Sequence, residues 1–230
     1  MNSTATNDRM LHELESSISR IMEPHDLEKW IREISLPFKE LMAYYKCAIM
    51  EVETKFKVLN EDLSLCYDRN PIASIESRLK SPRSIVEKMI RYGFPLTVEG
   101  IEYNLHDIAG IRVICNCVSD LYMLSDALLK QDDVTLLQEK DYIRNPKPNG
   151  YRSLHLIIST PIFLHDRKKM MEVEVQLRTL AMDTWAAQEH QIRYKNNEGQ
   201  ISPEISENLR KCAELCNKVD ELMESIQQNT

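Results

Sequence analysis

The sequence has no long apolar run and no cysteine pair at a metal-binding spacing. Its longest wholly apolar stretches are only a few residues, far short of the ~20 that cross a bilayer. No basic start followed by an apolar segment is present at the amino terminus, so a secretory signal peptide is not predicted. Membrane-spanning and exported classes are therefore not expected.

The six cysteines form neither a C-x-x-C motif nor a zinc-finger spacing with histidine. They are Cys47, Cys66, Cys115, Cys117, Cys212 and Cys216. We predict buried, reduced thiols, which are typical of a cytoplasmic protein.

The composition is that of an ordinary globular chain. Among 230 residues, 43% are apolar and 28% are charged, the formal net charge is −7 and the pI is about 5.5. The negative charge disfavours a protein that coats nucleic acid, and it does not favour RNA binding.

Hydrophobic periodicity predicts an α+β fold. Helices are expected at 26–36, from Pro37 to about Leu59, and at 81–93, 120–131, 181–194 and 204–226. Strands are expected at 108–118, 154–160 and 172–179. Ser81 as N-cap, Pro82 in the first turn and Gly93 as the stop mark the ends of the third helix. The order of these elements predicts a mixed sheet flanked by helices.

Three regions are expected along the chain. Residues 1–69 form a helical extension whose first 23 residues are expected to be flexible, 70–196 form the main domain, and 197–230 form an amphipathic helix. In that last helix an apolar stripe opposes a charged face. The stripe comprises Ile205, Leu209, Cys212, Cys216, Val219 and Leu222 or Met223. It indicates either packing onto the chain's own core or oligomerisation.

Positive charge is concentrated in two segments of this acidic chain. Residues 78–91 carry five basic side chains and one acidic one, and residues 140–152 carry four and one. Two local clusters suit a small polyanion such as a triphosphate better than a long one. On the 81–93 helix, Ser84, Lys88 and Arg91 share one face, while Ile85, Met89 and Ile90 occupy another.

Two acidic residues are candidate metal ligands. Asp107 precedes the 108–118 strand, and Glu174 lies on the polar face of the strand at 172–179, with Val173 and Val175 on the other face. Glutamate is disfavoured on strands, so this polar face would be unusual if it only met solvent. An ordinary polar strand face is the alternative. Two acids on neighbouring strands suit Mg²⁺, which binds one or two carboxylates together with phosphate oxygens.

The loop before the 154–160 strand carries an aromatic residue among basic ones. Pro146, Pro148 and Gly150 shape this loop, and Tyr151 and His155 follow. A tyrosine in this place is able to stack on a nucleobase, although most such residues serve in packing.

Five motifs in order resemble the RelA/SpoT-type synthetase domain, most closely the single-domain small alarmone synthetases. The resemblance covers about residues 70–195. The motifs are Arg78-Leu79-Lys80, HDIAGIRV at 106–113, NGYRSLH at 149–155, EVQLRT at 174–179 and MDTWAAQEH at 182–190.

The resemblance implies a nucleotidyltransferase-like fold and transfer of pyrophosphate from ATP to the 3′-hydroxyl of GDP or GTP, with Mg²⁺. Asp107 and Glu174 would be the catalytic and metal-binding residues. The implied ATP-binding residues are Arg78, Lys80, Ser84, Lys88, Arg91 and Arg112. The implied GDP- or GTP-binding residues are Lys140, Lys147, Tyr151, His155, Gln176 and Asp183. Arg152, Arg178, Glu189 and His190 would be supporting residues.

Relatives of this kind also imply a homotetramer built through terminal helices. Only 77 residues precede Arg78, too few for the hydrolase module of the long family members, so no hydrolase activity is expected. Two alternatives remain open. One is pyrophosphate transfer to adenine nucleotides or to the 3′ end of tRNA, and the other is a non-catalytic nucleotide or RNA sensor.

Overall fold

The computed structural model describes residues 12, 13, 16, 24–67, 69–195 and 202–229. Apart from His12, Glu13 and Ser16, the predicted flexible segment 1–23 lies outside these residues. The helices are α1 (Pro24–Tyr67), α2 (Pro82–Tyr92), α3 (Val98–Asn104), α4 (Val118–Leu129), α5 (Leu180–Lys195) and α6 (Pro203–Gln228). The strands are β1 (Ile72–Leu79), β2 (Ala109–Cys115), β3 (Thr135–Asp141), β4 (Leu154–Phe163) and β5 (Lys168–Thr179).

The five strands form one sheet in the order β1-β2-β5-β4-β3. The predicted α+β class with a mixed sheet flanked by helices is confirmed. β3 pairs antiparallel with β4 in a register that sets Lys140 opposite His155 and Asp141 opposite Leu154. This register places the start of the basic segment 140–152 beside β4, the strand that follows Tyr151.

The two strands that sequence patterning did not place are the two edges of the sheet. In β1 only Ile72 is buried, and every residue of β3 except the half-buried Asp141 is exposed. An edge strand that covers little core has no need of alternating apolar residues. The interior strands β2, β4 and β5 do alternate, and they were predicted.

The prediction of two helices separated at Pro37 is wrong, because α1 is continuous through Pro37. A proline inside a helix removes one backbone hydrogen bond and crowds the preceding turn. Burial compensates here, because Phe38, Leu41, Met42 and Tyr45 follow immediately and are at most 2% exposed. Tertiary packing therefore overrides the local penalty.

Helix α2 begins and ends as predicted. The Ser81 hydroxyl accepts a hydrogen bond from the Ser84 amide, Pro82 occupies the first turn, and Gly93 has φ +67° in the left-handed region. Ile85 and Met89 are buried, whereas Ile90 is exposed, which corrects its predicted place on the apolar face. The cap fixes where Lys88 lies along the helix.

The chain divides into two compact units. In the described residues, unit 1 comprises the chain up to Glu51, 77–110 and 160–174, and unit 2 comprises 52–76, 111–159 and 175 onward. The buried core residues of unit 1 include Phe38, Leu41, Met42, Tyr45, Ile85, Met89, Leu105 and Ile108. Those of unit 2 include Val52, Phe56, Ile111, Val113, Leu121, Leu124, Leu128 and Leu177.

Helix α6 packs against α5 and α4 within unit 2. Leu209 and Ala213 are buried in this packing, and Cys216 is half-buried. The predicted stripe is therefore only partly correct. Its other members, Ile205, Cys212, Val219, Leu222 and Met223, are exposed. The helix turns one face to the core of its unit and keeps a second apolar face uncovered.

All six cysteines are free thiols, as predicted. Cys115 and Cys117 are buried, but Cys66 and Cys212 are exposed, so the expectation that the thiols are buried holds only for some of them. In the part of the chain that the structure describes, no helix combines the length and the apolarity that crossing a bilayer requires.

Candidate active site

The carboxylate of Asp107 lies between two lysines in unit 1. Lys80 Nζ donates to Asp107 Oδ2 at 2.7 Å, and Lys88 Nζ donates to Oδ1 at 2.9 Å. Lys80 directly follows β1, where its backbone amide donates to the Ile108 carbonyl at 2.8 Å. Lys88 comes from the middle of α2. We call Lys80, Lys88 and Asp107 the Asp107 cluster.

Asp107 is held ionised by this arrangement. Burial on its own would raise the pKa of Asp107, but the hydrogen bonds and charges of Lys80 and Lys88 outweigh burial and lower the pKa below its ordinary value. The cluster therefore presents one carboxylate and two ammonium groups at neutral pH. Such a set can bind phosphate oxygens through its lysines or a hard cation through its carboxylate.

Glu174, the second predicted catalytic acid, lies on β5, where half-buried and buried residues alternate from Glu172 to Leu177. Glu172, two residues earlier on the same face, has its Oε2 atom 2.5 Å from His106 Nδ1. Both acids belong to unit 1. Among the described residues, no group of three or more His, Cys, Asp or Glu is arranged to hold a metal ion.

The other predicted ATP-binding residues are placed less uniformly. Arg78 and Arg91 are exposed. The Ser84 hydroxyl accepts a hydrogen bond from the Ser81 hydroxyl at 3.0 Å, within the cap of α2. Arg112 belongs to unit 2, where its Nη1 atom lies 3.2 Å from Glu76 Oε2 and 3.5 Å from Asp183 Oδ1. Arg112 is thus paired with Asp183, a residue that the family resemblance assigns to the other nucleotide.

Unit 2 contains a cluster of aromatic rings and cations around Tyr151. Lys147 Nζ lies 4.6 Å from the centroid of Tyr142 and 4.9 Å from that of Tyr151. The Tyr142 ring meets the rings of Tyr151 and His155 edge-on, at centroid distances of 5.9 and 5.4 Å. The Tyr151 hydroxyl lies 2.8 Å from His155 Nε2. Aromatic faces beside an exposed ammonium group suit a ligand that has both a base and phosphates.

Arg178 is the buried side chain that connects the members of this cluster. Its side chain is 7% exposed, and its guanidinium donates to the Tyr151 hydroxyl at 2.6 Å, to Asp183 Oδ1 at 3.0 Å and to Gln176 Oε1 at 3.0 Å. The planar fork of arginine fixes three partners at once. We call Tyr142, Lys147, Tyr151, His155, Gln176, Arg178 and Asp183 the Tyr151 cluster.

The remaining predicted residues lie around this cluster or at the surface. Lys140 is exposed on β3 opposite His155. Arg152 Nη1 donates to the Ile143 carbonyl at 2.8 Å, and Glu189 accepts from Asn149 Nδ2 at 3.1 Å, so both brace the loop that carries Tyr151. His190 is exposed on α5.

Tyr142 is a member of the cluster that sequence reasoning did not single out. It stands inside the basic segment 140–152, and an aromatic residue among basic ones was the signal that could have indicated it. The extent of the Arg178 network was also missed, because its three hydrogen-bonding partners span 151 to 183 in sequence.

The chain belongs to the RelA/SpoT family. The family model described as a region found in RelA and SpoT proteins matches residues 77–199, which include the Asp107 cluster and the Tyr151 cluster. The chain is 41% identical to the GTP pyrophosphokinase YwaC of Bacillus subtilis (strain 168), over 82% of this chain and 90% of the relative.

Two solved structures of small alarmone synthetases resemble the fold. Small alarmone synthetase 2 from Bacillus subtilis has a TM-score of 0.76 and 39% identity, and the match covers 84% of this chain and 99% of that one. Small alarmone synthetase 1 from the same organism, bound to its product pppGpp, has a TM-score of 0.75 and 33% identity, over 84% and 98%.

Proposed function

We propose that the protein is a GTP or GDP pyrophosphokinase that makes pppGpp or ppGpp and AMP. The observation that carries the proposal is the Asp107 cluster, in which an ionised carboxylate is flanked by two ammonium groups. Relatives of the chain are named GTP pyrophosphokinases, and one similar structure is bound to its product pppGpp.

The reaction joins an acceptor hydroxyl to the β-phosphorus of ATP. The 3′-oxygen of the guanosine nucleotide attacks that phosphorus, and the bond to the oxygen that bridges the α- and β-phosphates breaks. AMP leaves with the bridging oxygen, and the hydroxyl proton passes to Glu174, which also orients the hydroxyl. Such transfers depend mainly on positioning and on neutralisation of phosphate charge.

Lys80 and Lys88 neutralise the ATP phosphates in this proposal. Both ammonium groups are fixed by Asp107 before the nucleotide arrives, which reduces the reorganisation needed during the reaction. The other assigned ATP contacts are Arg78, Ser84, Arg91 and Arg112. Arg78 and Arg91 are exposed, so their side chains are accessible to a nucleotide.

The Tyr151 cluster receives the guanosine nucleotide. Tyr151 stacks on guanine, Asp183, His155 and Gln176 surround it, and Lys147 and Lys140 contact the phosphates. Lys147 is exposed, so it can turn from the tyrosine rings to a phosphate without breaking a buried ion pair. Arg152, Arg178, Glu189 and His190 support these residues.

The donor set fits Mg²⁺. Asp107 is ionised, and Glu174 is a second carboxylate in the same unit. Mg²⁺ usually takes one or two carboxylates and completes its coordination with phosphate oxygens and water. When bound, the ion would offset charge on the transferring phosphates.

Two further points belong to the proposal. We assign a homotetramer on the resemblance, and α6 offers exposed Leu215, Val219, Leu222 and Met223 for such contacts. Free thiols favour a reducing compartment, so we place the enzyme in the cytoplasm.

Product analysis tests the activity. The purified protein is incubated with Mg²⁺, ATP labelled at the γ-phosphate and, in parallel, GDP, GTP, ADP or tRNA, and the labelled products are separated by chromatography. We expect labelled ppGpp or pppGpp, with AMP formed in equal amount, and no product from Asp107→Asn. Label on ADP or tRNA instead of guanosine nucleotides would contradict the proposed acceptor.

A further inference from the structure

Asp220 is a buried carboxylate on α6, outside all five motifs of the site. We propose that Asp220 is a positioning residue for the acceptor nucleotide and that it acts through Thr179. This inference rests on the proposed function and deepens it, because it assigns to the C-terminal helix a part in the binding of one substrate.

The contact between Asp220 and Thr179 is well defined. Asp220 is 5% exposed and Thr179 is 1% exposed. The Thr179 hydroxyl donates to Asp220 Oδ2 at 2.9 Å and accepts from the Met182 amide at 3.1 Å. The hydroxyl therefore has one orientation, with its proton on the Asp220 side. Asp220 thereby fixes the first turn of α5.

Thr179 stands at a junction within unit 2. Arg178, which precedes it, holds Tyr151, Gln176 and Asp183, and α5 begins at the residue that follows. Asp183 lies in the first turn of that helix. A shift at Thr179 would displace Arg178 and Asp183 together, because both are separated from it by only a few backbone bonds.

A second contact of α6 restrains the other side of the Tyr151 cluster. Trp185 Nε1 donates to the Leu209 carbonyl at 2.8 Å, and Tyr151 packs against the buried group formed by Trp185, Leu209 and Ala213. The Gly150 backbone comes so near to α6 that a Cβ atom there would lie 2.5 Å from the Ala213 Cβ. Helix α6 thus supports the cluster both at Thr179 and at the loop before Tyr151.

These contacts predict an effect on one substrate. The Asp107 cluster lies in unit 1, whereas Asp220, Thr179 and every member of the Tyr151 cluster lie in unit 2. Among the residues assigned to ATP, Arg112 alone lies in unit 2, where it pairs with Asp183. Loss of the Asp220 contact should therefore weaken binding of the acceptor nucleotide more than binding of ATP. A residue that only stabilised the fold would affect both nucleotides or the melting temperature alone.

The test compares KM for the acceptor with KM for ATP in four variants. Asp220→Ala and Thr179→Val remove the hydrogen bond, while Asp220→Asn and Thr179→Ser retain an acceptor or a donor. Glu221→Ala, an exposed change at the next position, is the control. We expect Asp220→Ala and Thr179→Val to raise the acceptor KM roughly three- to tenfold. The ATP KM and the values of the two conservative variants should stay within about twofold of wild type, the usual scatter of neutral changes.

The double variant separates direct from indirect action. If Asp220 acts through Thr179, adding Asp220→Ala to Thr179→Val should not raise the acceptor KM further. An unchanged acceptor KM in Asp220→Ala, an equal rise for both nucleotides, or a full additional effect in the double variant would each overturn the inference. If Asp220→Ala does not fold, Thr179→Val against Thr179→Ser decides the same question.

The proposed function is tested separately, by pyrophosphate transfer in the wild-type protein alone. If wild type transfers pyrophosphate to an acceptor and the Asp220→Ala variant keeps the wild-type KM for it, only the inference is wrong. If wild type transfers to none of the four acceptors, both the proposed function and the inference are wrong.

Discussion

Arg178 and Tyr151, which lie 27 positions apart in sequence, are joined by a hydrogen bond of 2.6 Å from the guanidinium to the phenol oxygen. The guanidinium carbon of Arg178, Cζ, also lies 5.2 Å from the Tyr151 ring centroid. The same buried guanidinium holds Asp183 and Gln176. Arg178 is therefore one of the groups that fix the orientation of the ring that is proposed to stack on guanine, and it links that ring to Asp183 and Gln176.

The first prediction concerns the shape of that side chain. Arg178→Lys keeps the positive charge but cannot reach three partners with one planar fork. We expect binding of GDP or GTP to weaken by about 2 kcal/mol, or roughly thirtyfold, with little change in ATP binding. Calorimetric titration of each nucleotide measures this. Arg144→Lys, at a side chain that is 72% exposed, is the matched control, and equal weakening by both changes would contradict the assigned role.

The second prediction concerns the two carboxylates of unit 1. Asp107→Asn or Glu174→Gln should lower the rate of pyrophosphate transfer by roughly 1000-fold or more, since each removes a charge that the reaction requires. Both variants should fold, as judged by circular dichroism and melting temperature, because both changes are nearly isosteric.

Glu172→Gln is the control for Glu174→Gln. It alters an acid two positions away on the same strand face, which lies beside His106, and it should retain most activity. Near wild-type turnover by either catalytic variant, with an unchanged requirement for Mg²⁺, would refute the role given to that residue.

The predictable part of the fold is the part whose side chains alternate between core and surface. The interior strands and the caps of α2 at Ser81 and Gly93 follow from local sequence. The edge strands β1 and β3 do not, because so few of their side chains are buried. Continuity of α1 through Pro37 could not be predicted either, since it depends on the packing of residues such as Phe38.

In the site, the residue types were predictable but their pairing was not. Motifs and local charge identified Asp107, Lys80 and Lys88, yet nothing in the sequence indicates that both lysines share one carboxylate across separations of 27 and 19 positions. Asp220 illustrates the same limit. Its neighbours in α6 are largely exposed, and only the tertiary contact with Thr179 explains why a carboxylate is buried there.

The third prediction concerns the pH dependence of stability. Burial raises the pKa of Asp220 from 3.8 to about 6, although the Thr179 hydrogen bond and Arg152 oppose the shift. Below about pH 4 the carboxyl group is protonated in both the folded and the unfolded chain. Between pH 4 and 6 it ionises first in the unfolded chain, so its contribution to the free energy of unfolding decreases as the pH rises.

Asp220→Asn removes this dependence. The free energy of unfolding of the variant, relative to that of wild type, should rise by on the order of 2 to 3 kcal/mol from pH 4 to pH 7. Any effect of the substitution that does not depend on pH adds the same amount at both values and does not alter this rise. Urea denaturation at pH 4.0 and 7.0, the two ends of this range, measures the difference. Glu221→Gln controls for the loss of one negative charge. A difference between Asp220→Asn and wild type that does not vary with pH would show that the raised pKa is wrong.

The fourth prediction concerns the backbone before Tyr151. Gly150 has φ +93°, a conformation that residues with a side chain rarely adopt, and a Cβ atom there would lie 2.5 Å from the Ala213 Cβ. Gly150→Ala should displace the loop and raise the acceptor KM about tenfold, with a fall in stability of about 1 to 3 kcal/mol. Gly93→Ala is the control. It also has a positive φ, of +67°, but an added Cβ meets nothing within 4 Å, so it should reduce stability by backbone strain alone. If Gly93→Ala raised the acceptor KM as much as Gly150→Ala, contact between the loop and α6 would not be the cause.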